Sequence, residues 1–145
     1  MGDLPDASGD RSAKGSGLSI VPRSGRDLLG GLPWLGRMID KVRMITAGTI
    51  GDYEFPCGMD TELLNYLKIS PGDFIDLVKN ISAENGYNGE TASRQHIDTA
   101  ILEELSHRTP FINESGGGIK NSFFASVFLV RNSRLLNQLE SEESR

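Results

Sequence analysis

The sequence predicts an all-α fold, a single small domain of four or five helices, on three observations. Apolar residues recur at three- and four-residue steps in several separate segments. The segments carry recognisable start and stop residues. At 145 residues with one cysteine, the chain has length for one self-sufficient core and no means of an internal disulfide.

The elements follow in order. Residues 1–26 are Gly, Ser, Asp, Arg and Pro with few apolar groups, a composition that predicts a disordered N-terminal arm. The ordered domain is expected over 27–139, with a disordered acidic tail at 140–145. Leu35, Met38, Ile39, Val42 and Ile45 share a helical face, with Pro33 in the first turn and Gly48 as the C-terminal stop. A second helix is expected from Asp60 as N-cap, burying Leu63, Leu64 and Leu67. "SPGD" at 70–73 opens a third, with Ser70 as cap and Phe74, Leu77, Val78 and Ile81 inward. "ENGYNGE" at 84–90 reads as a loop. A fourth helix spans roughly Ala92 to His107, lined by Ile97, Ile101 and Leu105 and ended by Pro110. "SGGG" at 115–118 breaks the chain again. The last segment, from about Lys120 to Leu139, reads as a helix with a kink or break near "RNS" at 131–133, and a buried strand at 123–130 competes with it.

"LPWLGRMIDKVRMITAGTIGDYEFPCGMD" (Leu32 to Asp60) and the following "LLNYLKISPGDFIDLV" resemble an uncharacterised bacterial family, a domain of unknown function built around this helix–loop–helix block. Trp34, Arg37, Asp40, Lys41, Arg43, Gly48, Thr49, Gly51, Tyr53, Cys57 and Asp60 carry the likeness. It covers Leu28 to Val78, and beyond Val78 no clear match is visible. The resemblance implies a small helical protein and brings no catalytic residues with it.

Charge and motifs exclude several classes. A net charge of −5 is no footprint for nucleic acid, although residues 1–43 sum to +2 and 44–145 to −7. The longest apolar run, "FFASVFLV", is too short to span a bilayer, and the first residues carry no secretory pattern, so a cytoplasmic protein is expected. "LLGGLPWLGR" and "AGTIGD" contain glycines but match no nucleotide loop. Cys57, His96 and His107 have no zinc spacing, and no metal or cofactor is expected. Cys57 stands just before a helix, where a thiol is favoured as nucleophile, but its more ordinary role is a small buried hydrophobe.

The remaining candidates cluster on the first helix and its loop. Arg37 and Lys41 sit four residues apart on one face, with Asp40 and Arg43 alongside and the Thr49 hydroxyl after the helix stop. Three readings stand: a solvated face, a structural tie holding the loop through charge-assisted hydrogen bonds, and a small anion or ligand site. The loop 48–60 itself reads as a shaped connection, with Gly51 at a turn, Tyr53 and Phe55 anchored on the core and Pro56 stiffening it. The expected function is a non-enzymatic small-ligand or protein-interaction module. The alternatives are a small enzyme using Cys57 or the Arg37/Asp40/Lys41 face, and a structural homodimer through Phe123, Phe124, Val127 and Phe128.

Overall fold

The computed structural model describes residues 21–84, 94–109 and 118–144. Six helices follow in order: α1 Leu35–Ala47, α2 Gly58–Leu67, α3 Pro71–Glu84, α4 Arg94–Arg108, α5 Gly118–Arg131 and α6 Ser133–Glu143. Among the described residues there is no strand, only a single bridge between Leu29 and Leu32. No helix there is long and apolar enough to cross a membrane.

The all-α expectation fits, but the helices among the described residues number six because the chain turns at Asn132. Asn132 separates α5 from α6 at the "RNS" break, and its side chain donates to the Phe128 carbonyl and to Glu62. Residues 123–130 are helical, which removes the strand alternative.

α1 is the central element. Every residue from Leu35 to Val42 is buried, not only the apolar stripe. It ends as expected, at Gly48 in the left-handed region, where the Gly48 N–H bonds the Ile45 carbonyl. Its start differs from expectation. Pro33 lies outside the helix, and Trp34 caps it with φ 73°, an unusual conformation for a tryptophan. α1 packs on α3, α3 on α4, and α5 on α6. Trp34, Leu35, Met38 and Ile39 meet Leu63, Phe74, Ile97, Ile101, Phe128 and Leu136 in one core.

α2 begins two residues before the expected Asp60. Cys57 is its N-cap, and Asp60 lies in the first turn. There its carboxylate accepts a hydrogen bond from the Cys57 N–H at 2.8 Å, the reciprocal half of a capping box. At α3 the Ser70 hydroxyl accepts from the Asp73 N–H at 3.1 Å, as the "SPGD" pattern predicts. The loop's aromatics are anchored, with Phe55 against Phe74 at 6.1 Å between ring centroids. Gly51 holds φ 58°, and the Phe55–Pro56 bond is cis.

Two boundaries move. Residues 21–26, which composition assigns to the arm, pack on the helices: Pro22 is buried, and the Gly25 carbonyl accepts from the Trp34 N–H at 2.8 Å. Gly25 lies so close to Trp34 that an added Cβ would stand 2.6 Å from its Cζ3. At the other end, residues 140–143 belong to α6 rather than to a disordered tail. The expectations for residues 1–20, the loop residues 85–90, Pro110, residues 115–117 and Arg145 lie outside the described residues.

The expected apolar face of α5 divides in two. Phe128 enters the core and Phe124 stacks on Tyr66 at 4.2 Å. Phe123 is 72% exposed and, with Ile119, Val127 and Val130, forms a strip facing solvent.

Candidate functional site

The charged residues of α1 are not a solvated face. Arg37, Asp40 and Lys41 are each less than a tenth exposed. A buried charge persists only when paired and hydrogen-bonded, and each has a partner from a distant part of the chain. Asp40 does not pair with Arg37 or Arg43 along the helix.

Lys41 points to α2. Its Nζ donates to Asp60 Oδ2 at 2.6 Å and, more weakly, to Cys57 Sγ at 3.6 Å. The Trp34 indole N–H donates to Asp60 Oδ1 at 2.6 Å. Asp60, fully buried, thus accepts from an ammonium, an indole and a backbone amide.

Asp40 points the other way, to the segment before α1. It accepts from the Arg23 backbone N–H at 2.8 Å and from its Nε and Nη2, both at 3.1 Å. The same guanidinium donates to Asp98 of α4 at 2.7 and 3.0 Å, so one arginine bridges two helices. Burial lowers the Arg23 pKa, but hydrogen bonds and charge from Asp98 and Asp40 outweigh it and push the pKa up.

Arg37 points to the end of α6. Its Nη1 and Nη2 donate to the two oxygens of Glu143 at 3.0 and 2.6 Å, a bidentate fork. Nη1 also donates to the Arg23 carbonyl at 3.2 Å. The guanidinium lies 5.1 Å from the Trp34 ring and 5.6 Å from that of Tyr53. The Tyr53 hydroxyl donates to Glu143 Oε2 at 3.1 Å. Burial, then the Glu143 charge, raise the Tyr53 pKa above the ordinary phenol value, which further favours the protonated, donating form.

Between α1, the loop, the start of α2 and α6 lies an open pocket of about 550 Å³. Trp34, Met59, Leu135 and Leu139 supply apolar walls. Arg37, Lys41, Tyr53 and Cys57 face it as polar groups, and Asp52, Glu54 and Glu62 add carboxylates. Of the five residues singled out by the sequence, Arg37 and Lys41 line this pocket, while Asp40, Arg43 and Thr49 do not. Arg43 Nε and Thr49 Oγ1 are buried without a hydrogen-bond partner. Among the described residues no group of His, Cys, Asp and Glu is placed to hold a metal ion.

Sequence reasoning missed Arg23, Asp98 and Glu143, and took Asp60 for a simple cap. Asp60 had a usable signal: an acid three residues after a potential cap fits the inward half of a capping box. Glu143 and Arg23 had none, since both sit in stretches whose composition reads as tail and arm.

No curated protein and no solved structure matches this chain. A family model does, over residues 19–103, which is more than half of the chain and runs past Val78 through most of α4. Its match also takes in Arg23, Arg37, Asp40, Lys41, Asp60 and Asp98, the residues of the buried charge clusters apart from Glu143. The chain belongs to the family described as a domain of unknown function, DUF5069.

Proposed function

We propose that this chain is a non-enzymatic binding module whose ligand is a small molecule seated in the pocket between α1, α2 and α6. The observation that carries the reading is the convergence of Arg37 and Lys41 on a recess of about 550 Å³ with apolar walls from Trp34, Met59, Leu135 and Leu139, whose lining also includes Asp52, Glu54 and Glu62. A concave site that combines apolar walls with convergent polar groups is the usual form of a small-molecule site. Arg37 and Lys41 are the direct contacts, and Asp40, Arg43 and Thr49 lie outside the lining. A bacterial, cytoplasmic setting goes with this reading, and the single cysteine supports its cytoplasmic part.

Trp34, the only tryptophan, lines the pocket and supplies the test. Native mass spectrometry of gently purified protein is expected to show a bound small molecule, and stripping it is expected to shift the Trp34 emission. A chain with no bound mass, whose emission no compound in a metabolite panel moves, would remove the ligand reading.

A second reading, a homodimer through α5, draws support from the exposed strip Ile119, Phe123, Val127 and Val130. Contiguous apolar surface of this kind marks interaction sites. Sedimentation should then give a dimer at micromolar concentration that Phe123→Asp converts to monomer with unchanged helicity. A monomeric wild type at 100 μM (about the loose end of stable association) excludes it.

A further inference from the structure

Arg37 holds a carboxylate already, that of Glu143. The carboxylate is gripped by both Nη atoms and by the Tyr53 hydroxyl, with the guanidinium between two aromatic rings. This is a preorganised oxyanion receptor in all but its occupant. Arg37 is only 2% exposed, and its Nε is buried without a partner, a donor that Glu143 leaves unused. Arg37 also lines two recesses, the larger one described above and a smaller one of about 300 Å³ that Glu143 itself lines.

Glu143 is a poor permanent tenant. It lies in the last turn of α6, where the helix dipole disfavours an acid and that turn itself carries no basic residue. α6 is anchored by buried Leu136 and by Arg26, which bonds Asn137 at 2.6 Å and, at the start of the last turn, Glu140 at 2.8 Å. Only the residues after Glu140 are then left to detach with Glu143 while α6 stays in place.

We infer that Arg37 and Tyr53 form a carboxylate-binding site, that Glu143 occupies it as an internal stand-in, and that the external ligand is a small carboxylic acid with an apolar body. The head displaces Glu143 on Arg37, and the body lies against Trp34, Met59, Leu135 and Leu139. This rests on the ligand reading above and adds the ligand's class and a built-in competitor.

Hexanoate, hexanol and inorganic phosphate, titrated separately against Trp34 emission, test it on three proteins: the full chain, Glu143→Gln, and the chain ending at Glu142. Both variants are expected to bind hexanoate at least tenfold more tightly than wild type, with hexanol and phosphate weaker. Adding Arg37→Lys to Glu143→Gln is expected to abolish the gain. Equal hexanoate affinity in wild type and variants would overturn the competitor. Hexanol binding as well as hexanoate would leave a ligand pocket but overturn the carboxylate site. Thermal melts run alongside; if both variants are unfolded, Glu143 is a structural clamp and the inference fails. No response to any of the three probes in folded variants also overturns it.

Discussion

Asp60→Ala is expected to cost about 3–5 kcal/mol of folding stability, the scale set by removing one partner of a buried ion pair. The carboxylate is fully buried and takes three donors, from Lys41, Trp34 and Cys57. Without it the Lys41 ammonium is left in the interior with a weak thiol contact and the Trp34 ring at 5.7 Å but no carboxylate, and the indole N–H loses its acceptor. Against a typical total of about 5–15 kcal/mol, such a loss brings the domain close to unfolding at room temperature. Urea denaturation should show the midpoint falling with an unchanged slope. The combination Lys41→Met with Asp60→Asn should recover part of the loss, because it removes both charges, while the single amide oxygen it leaves can accept from only one of the Trp34 indole and the Cys57 N–H, which bond different oxygens of Asp60. A single-mutant cost below about 1 kcal/mol would mean that the pair is not buried as described.

Arg23→Ala is also expected to be damaging, by about 3 kcal/mol, the lower end of the same scale, because Asp40 and Asp98 lose their shared cation and only the half-exposed Arg94, 3.6 Å from Asp40, remains. Arg23→Lys should recover only part of it, since a single ammonium cannot fork to two carboxylates on different helices. The same logic predicts that a chain cut to begin at Asp27, where composition alone would place the domain boundary, is less stable than one beginning at Val21. Chemical denaturation of the two truncated chains compares them directly; equal midpoints would refute the role given to Arg23.

Much of the helical frame was legible because its signals are local. Ser70, Gly48 and the four-residue steps of Ile97, Ile101 and Leu105 act within one or two turns, and they stand where the sequence places them. The site was legible only in name. Arg37 and Lys41 could be picked out as paired cations, but periodicity assigns charged positions to solvent, and in α1 that inference fails because the helix is buried on every side from Leu35 to Val42. What permits the burial is three carboxylates and an arginine drawn from the segment before α1, from α2, α4 and α6. Pairings of that range leave no trace in spacing. Arg23 and Glu143 were hidden further by composition, since a segment poor in apolar residues can still be held by one well-made ion pair.

The grip of Arg37 on Glu143 spans 106 residues of sequence, and Ser24 reaches Glu140 across 116. Helical domains owe their fast folding to local contacts, and these closures are the opposite kind. On a ribosome adding about 5–20 residues per second, α1 emerges some 5–20 s before its acceptor on α6. Through that interval the Arg37 guanidinium has the Arg23 carbonyl and the rings of Trp34 and Tyr53 but no carboxylate, so its burial is only partly compensated. The contacts with α6 are closed last, and refolding of the 145-residue chain should be slower than its helix content alone suggests.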